Sequence, residues 1–195
     1  IREIRIDGLT NTRESFIRSF VIVKPGDKLS GFDADSVEQN LRARGIFEEI
    51  TFNYLIEEKE VIVIILIREK HTFIPLPFFK YSDNETSVGV FIFESNLFGI
   101  NKIVYAGGYY SFGRGWYMMG GYNDPGIGGS HAVMYLHASG GKEIFENGDA
   151  GENIYQKYKA ARVNVSCGPG YRITERSTLY VTLTYGLALI DEDYN

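Results

Sequence analysis

The chain has 195 residues, 44% of them hydrophobic, and a formal net charge of −5. Because a nucleic-acid binder normally shows a basic face, this charge argues against that class of protein. The length allows one or two domains. Its 22 Gly, 14 Tyr and 13 Phe beside one Trp are typical of a β-rich protein with aromatic girdles.

The N-terminal region begins with a short strand and a helix. Ile4 and Ile6 lie on one face of "IREIRI", and Asp7-Gly8 predicts a turn after it. Glu14 follows Asn11 at the spacing of a capping box, and apolar residues then recur at helical spacing. We therefore expect the first helix to be capped by Asn11.

A second helix and two strands complete this region. Ser30 or Asp33 is expected to cap the helix, and Gly45 is placed to end it. "FEEITFNYLI" (47–56) and "EVIVIILIRE" (60–69) are typical of strands joined by a charged hairpin turn. The predicted order over residues 1–72 is β-α-α-β-β.

From residue 73 onward helical periodicity disappears, and strand-like runs alternate with turns rich in Gly, Asn, Asp and Pro. About seven runs of this kind predict an antiparallel sandwich or barrel. The candidate strands are 73–81, 86–95, 102–111, 115–123, 130–139, 156–167 and 177–189.

The last run, "STLYVTLTYGLAL" (177–189), has an apolar face and a hydroxyl face, since successive side chains of a strand point to opposite sides. Several runs reach about ten residues, the length that crosses a bilayer at a tilt. The apolar face could contact lipid while the polar face lines a lumen, or it could contact a second protein layer. Periodicity alone leaves both open.

The sequence contains no recognisable enzyme site. His71, His131 and His137 lack the spacing of metal ligands, and the oxygen-rich "ENGDAGEN" (146–153) lacks that of a calcium-binding EF-hand loop. Cys167 is the single cysteine, which excludes a disulfide within the chain and favours a packing role. We expect neither catalysis nor a metal nor another cofactor.

Residues 1–72 resemble a POTRA domain. The resemblance rests on "IREIRIDGLTNT", on "KPGDKLS" before the second helix, on "NLRARGIFEEITF" leading into the second strand, and on "VIVIILIREK" in the closing strand. It implies a domain at 1–72 with the β-α-α-β-β fold.

Residues 73–195 resemble the start of the β-barrel of the Omp85 superfamily, the bacterial surface antigens. "PLPFFKYSDNETSVGVFIFESNLFGINK" is similar to the family's first hairpin, and "GGYNDPGIGGS" to a later strand-end turn. The family's Arg-Gly-aromatic loop motif and its aromatic-terminated last strand are missing. The resemblance therefore implies a fragment: the last POTRA domain and the N-terminal part of a transmembrane β-barrel.

The resemblance also implies two sites. In the family, the exposed edge of a POTRA sheet is its second strand, where an extended client adds by main-chain hydrogen bonds. The implied client-binding residues are Phe47, Ile50, Thr51, Phe52, Asn53 and Tyr54. Plain packing under the two helices is the alternative for the side chains that face inward.

The second implied site is a barrel seam at the first barrel strand, which in the family meets the last strand. Its residues are Phe73, Ile74, Pro75, Leu76, Pro77, Phe78 and Phe79. Two prolines without N–H donors fit a weakly paired seam, and they fit equally well a linker that enters the barrel.

The function implied is that of an outer-membrane assembly and insertion factor, with its POTRA domain in the periplasm of a Gram-negative-type bacterium. Its partners would be unfolded outer-membrane clients, periplasmic or lipoprotein accessory subunits and the lipid bilayer, and the fragment would be prone to self-association. A two-partner secretion translocator, a soluble periplasmic binding protein and a lipase fused to such a barrel are the alternatives.

Overall fold

In the computed structural model, the chain divides into two units. The first contains Ile1–Phe73 and Glu94–Lys102, and the second contains Ile74–Phe93 and the residues from Ile103 onward. The structure describes residues 1–58, 60–82, 85–127, 130–148, 154–174 and 177–191. The division after residue 72 stays a prediction, and the first unit also holds the short segment 94–102.

The first unit has the predicted β-α-α-β-β order. Its elements are β1 (Glu3–Asp7), α1 (Glu14–Arg18), a 3-10 turn (Leu29–Gly31), α2 (Ala34–Arg42), β2 (Phe47–Glu57) and β3 (Glu60–Glu69). The sheet has the order β1-β3-β2, with β1 parallel and β2 antiparallel to the central β3. No helix in the described residues is long and apolar enough to cross a membrane.

Only one of the two predicted helix caps is correct. The Asp33 side chain accepts a hydrogen bond from the N–H of Ser36 (3.0 Å) and caps α2. The capping box at Asn11 is wrong, because α1 begins after Arg13 without a side-chain cap. The N–H of Asn11 is instead bound by the Glu69 carboxylate (2.9 Å), which holds this loop away from the helix.

Apolar side chains of both helices and of one face of the sheet form the core of the first unit. The alternation of β3 directs Val63, Ile65 and Ile67 to this face, where α1 adds Ile17 and α2 adds Leu41. The remaining core residues are Ile4, Val37, Ile46, Phe47 and Ile50.

The second unit is built on a large antiparallel sheet. Its strands are β4 (Phe73–Ser82), β5 (Glu85–Leu97), β6 (Lys102–Phe112), β7 (Gly115–Asp124), β8 (Ala132–Gly148), β9 (Ile154–Thr174), β10 (Ser177–Tyr180) and β11 (Leu183–Asp191). Each strand from β4 to β10 pairs with the next along the chain, and β11 also pairs with β9. This arrangement confirms the predicted partial barrel sheet.

The predicted strand 177–189 is divided into β10 and β11, and Pro169 explains the division. The N–H of Val181 donates to the carbonyl of Pro169 (3.0 Å), but proline has no N–H to return the bond. The pairing of β9 continues in the same register on both sides of this gap, from Tyr180 opposite Gly170 to Leu183 opposite Cys167. The two strands therefore act as one pairing run.

The hairpin of β8 and β9 is longer than predicted. The predicted strand 130–139 ends where Gly140-Gly141 looks like a turn, yet Gly141 pairs with Tyr117 inside β8. A Cβ on Gly141 would collide with the carbonyl oxygen of Trp116, so glycine permits close approach of two strands here. Part of the predicted loop 146–153 lies outside the described residues.

Candidate functional site

The first candidate site is the free edge of β2. In the order β1-β3-β2, this strand pairs with β3 from Phe47 to Glu57. Among the described residues no strand pairs with its other edge. An edge strand of this length offers a row of backbone N–H and C=O groups to an added strand.

Half of the residues predicted for this site point away from it. Phe47 and Ile50 are buried in the core, with 4% and 5% of their surface exposed. Phe52 is half-buried and packs edge-on against Phe32, with ring centroids 5.7 Å apart. Their side chains support the sheet under the helices, and only their backbone is available at the edge.

The other predicted residues lie where a partner could reach them. Thr51 and Asn53 are exposed and sit on the face of the sheet opposite the helices. Tyr54 is 47% exposed and approaches Phe32 edge-on at 6.5 Å.

The most exposed apolar part of the edge is its C-terminal end, at Tyr54, Leu55 and Ile56. Ile56 is 74% exposed and was not predicted as a site residue. The sequence carries a signal for it, because three consecutive apolar residues in a strand cannot all face one core. Exposed apolar side chains on a free edge are typical of a surface that pairs with another chain.

Acidic residues follow this apolar end. Glu57 pairs with Arg2 (2.8 Å), and Glu60 lies 3.9 Å from the same guanidinium. These pairs are exposed, so each contributes at most about 1 kcal/mol to stability. Their effect on a partner is to place negative charge just beyond Ile56.

The second candidate site is β4, the predicted seam strand. It stands at the end of the large sheet and pairs with β5 alone in the described part of the chain. Among its predicted residues Phe78 is half-buried, with its ring centroid 6.2 Å from that of Phe91 and 5.4 Å from that of Tyr109. The remaining six, Phe73, Ile74, Pro75, Leu76, Pro77 and Phe79, are exposed.

The prolines of β4 remove two donors from one edge. Residues two apart in a strand direct their backbone groups to the same side, so Pro75 and Pro77 weaken the same edge. The structure places both inside a strand of the sheet.

The polar face of the large sheet carries hydrogen bonds between strands. Tyr135 Oη donates to Thr182 Oγ1 (2.8 Å), and the hydroxyls of Ser166 and Thr184 lie 3.0 Å apart. The hydroxyl row predicted in the last strand therefore shares a face with polar residues of β8 and β9.

The opposite face of the same sheet is apolar and exposed. Leu183, in the predicted apolar row, is 67% exposed. Large apolar patches are rare on the water-exposed surface of soluble monomers and mark a surface that contacts another protein or a membrane. Other exposed residues of this face are Val88, Val90, Trp116, Met118, Leu136, Val163, Val165, Leu179, Val181 and Leu187.

The described residues contain no group of three or more His, Cys, Asp or Glu side chains that could hold a metal ion. His137 Nδ1 lies 2.9 Å from the hydroxyl of Tyr105, and His131 stacks on Tyr171. Both histidines have structural partners in the sheet.

Residues 1–70 match the family model POTRA, described as a surface antigen variable number repeat. Among solved structures, the chain is similar to BamA from Haemophilus ducreyi lacking POTRA domains 1–3, with 19% identity and a TM-score of 0.66. It is also similar to CdiB from Acinetobacter baumannii, with 12% identity and a TM-score of 0.62. No curated protein sequence matches the chain.

Each structural match covers 98% of this chain but only 36% of the BamA chain and 38% of the CdiB chain. The fold is a POTRA domain followed by the antiparallel strands of a partial β-barrel. The family match therefore covers the first 70 residues, and the likeness to BamA and CdiB extends over the fold of nearly the whole chain.

Proposed function

We propose that this chain is part of an outer-membrane assembly and insertion factor whose POTRA domain binds unfolded clients at β2. The observation that carries the proposal is the edge of β2, which pairs with no strand of the described residues and has an exposed apolar end at Tyr54, Leu55 and Ile56. Strand addition depends on main-chain hydrogen bonds, so clients of many different sequences can bind in this way.

The exposed end of β2 also suits the clients of such a factor. Tyr54 and Ile56 face one side of the sheet, and Leu55 faces the other. An added strand would therefore meet apolar neighbours on both sides near its pairing with these residues. Strands of outer-membrane barrels present an apolar side chain at every second position.

The large sheet supports an outer-membrane location with the POTRA domain in the periplasm. Its exposed apolar face would contact hydrocarbon, and its hydroxyl face would line the lumen. Accessory periplasmic or lipoprotein subunits remain partners that we propose from the family. The proposed role needs no nucleotide hydrolysis, because folding of the client itself supplies the free energy.

We further propose that β4 forms one side of a seam in the complete barrel. In this proposal Pro75 and Pro77 direct their backbone to the free edge, so that edge offers fewer hydrogen bonds to a closing strand and the junction separates more easily than an ordinary pair. Before closure, the open edge would make the fragment prone to self-association, since lipid does not tolerate unpaired backbone groups.

Two-partner secretion is the second candidate, favoured by the comparable likeness to CdiB. In that role the polar face would line the path of one extended substrate. Photocrosslinking from Thr184, on the polar face, separates the roles. A translocator would give one dedicated exoprotein as the adduct, and an assembly factor would not.

Client binding is tested by a photocrosslinking amino acid at Ile56 of the full-length protein in cells that synthesise outer-membrane barrels. A matched probe replaces Gln39, an exposed residue of α2. We expect adducts with several unfolded barrel proteins from position 56 and few from position 39. Equal yields from both positions would contradict the proposal.

A further inference from the structure

The first unit holds a turn that belongs in sequence to the large sheet. Segment 94–102 joins β5 to β6, yet it groups with the POTRA residues. Asn96 and Asn101 in this segment are 5% and 3% exposed. Buried amides of this kind need complete hydrogen bonding, since an unsatisfied polar group is costly.

Both amides find their partners within the first unit. Asn96 Nδ2 donates to the hydroxyl of Thr12 (2.8 Å), and Asn96 Oδ1 accepts the N–H of Asn101 (2.9 Å). Asn101 Nδ2 lies 3.3 Å from the carbonyl oxygens of Arg44 and Ser95.

Backbone bonds join the same two parts. The N–H of Arg13 donates to the carbonyl of Gly99 (2.9 Å), and the N–H of Ser95 donates to that of Thr72 (3.3 Å). A Cβ on Gly99 would collide with the carbonyl oxygen of Asn11. The backbones of the loop at residues 11–13 and of the turn at Gly99 are therefore in direct contact.

The loop side of this contact is itself held by one carboxylate. Glu69 accepts the N–H groups of Thr10 (3.2 Å), Asn11 (2.9 Å) and Thr12 (2.9 Å), and also the hydroxyl of Thr10 (2.9 Å). Together with a hydrogen bond from the Thr12 side chain, these bonds to one carboxylate fix residues 10–12 in the shape that receives Asn96.

The turn side carries backbone strain. Phe98 and Asn101 have φ values of 59° and 55°, in the left-handed region, which asparagine tolerates and a bulky residue such as Phe98 avoids. Such conformations persist when the surrounding contacts hold them. Segment 94–102 is thus held on residues 10–13 by polar contacts, and its own backbone is strained. Because these contacts are not part of the apolar core, the segment can separate from that core.

We propose that residues 10–13 and 94–102 form a latch, which holds the turn between β5 and β6 on the first unit and opens while β1, β2 and β3 stay folded. Local openings of this kind have their own equilibrium, below that of global unfolding. The proposal is independent of client binding at β2.

Hydrogen exchange of the full-length protein in lipid nanodiscs tests the latch. Thr12→Val removes the hydroxyl that receives Asn96 and keeps the side-chain shape, whereas Thr12→Ser retains the hydroxyl. We expect amides of 94–102 to exchange at least about tenfold faster in T12V and close to the wild-type rate in T12S. Thr51→Val makes the same change on exposed β2 and serves as the control.

A second pair of variants acts from the turn side. Gly99→Ala and Gly113→Ala both place alanine at a positive φ, of 70° and 78°, but only Gly99 faces another backbone. G99A should accelerate exchange at residues 10–13, and G113A should not. Unchanged exchange in both T12V and G99A would overturn the latch. Equal acceleration in β3 would also overturn it, because the contacts would then be ordinary parts of the POTRA core.

Discussion

The two units use the same kind of strand and place its apolar side chains in opposite surroundings. In the first unit Val63 and Ile65 are fully buried, because two helices cover one face of a three-stranded sheet. In the second unit Leu183 and Val165 remain exposed on a sheet of similar alternation. A period of two therefore fixes which residues share a face of a sheet and leaves open what covers that face.

Truncation of a core side chain tests the sheet face of the first unit that the two helices cover. Leu41 of α2 is fully buried, and Leu41→Ala should lower the free energy of unfolding of the first unit by about 2–5 kcal/mol. Denaturant-dependent exchange of β3 amides in the full-length protein measures it. Leu183→Ala, the matched change on the exposed face, should leave the exchange of the β3 amides unchanged. An equal effect of both variants on these amides would show that the two faces do not differ as described.

The exposed face is tested by neighbouring residues of β9. Val165 and Asn164 are both exposed but point to opposite sides of the sheet. Val165→Arg should destabilise the protein in a bilayer by about 2–4 kcal/mol if its face contacts lipid, and Asn164→Arg should cost much less. Folding into vesicles, followed by electrophoretic mobility, measures the difference. Comparable folding of the two variants would mean that both faces meet water.

A smaller effect concerns Glu69 at the end of the covered sheet. Burial alone would raise the pKa of Glu69, but hydrogen bonds from the N–H groups of Thr12 and Asn11 outweigh it and lower the pKa below its usual value. A lowered folded-state pKa contributes stability above the unfolded value of about 4.3. That contribution disappears as the pH falls through the lower folded-state pKa.

Glu69→Gln removes this charge. Near neutral pH we expect it to lower the stability of the first unit by about 1–2 kcal/mol, allowing for solvent screening of a half-exposed carboxylate. Below the folded-state pKa the difference from wild type should shrink. Unfolding curves between pH 7 and pH 3 measure it, and a constant difference over that range would show that the charge of Glu69 is not the cause.

Much of the architecture followed from local pattern. Asp33 at a helix start and the alternation of "STLYVTLTYGLAL" depend on neighbouring residues alone, so the cap of α2 and the faces of the last strand were predictable. The cap at Asn11 was not, because Glu69, distant in sequence, binds that loop. The extension of β9 past Pro169 was also missed, since β8 pairing continues across the proline.

The candidate site was predictable to a lesser extent. The family resemblance pointed to β2 as the edge, and the sheet order agrees with an open side there. Alternation could place Ile50 and Phe52 on one face, but it could not show the register shift after Phe47 that lets this residue join the same core. Nor could it show that the helices leave Ile56 exposed. The burial of Asn96 and Asn101 also escaped prediction, because it depends on contacts with residues 12 and 44.

Trp116, the chain's one tryptophan, lies on the exposed apolar face and can report directly on what that face contacts. The full-length protein, with any other tryptophans replaced by phenylalanine, is folded into vesicles whose acyl chains carry bromine. If the face contacts hydrocarbon, brominated chains should quench Trp116 fluorescence strongly and aqueous iodide should quench it weakly. Strong quenching by iodide, with none by brominated lipid, would show that this face contacts water and not hydrocarbon.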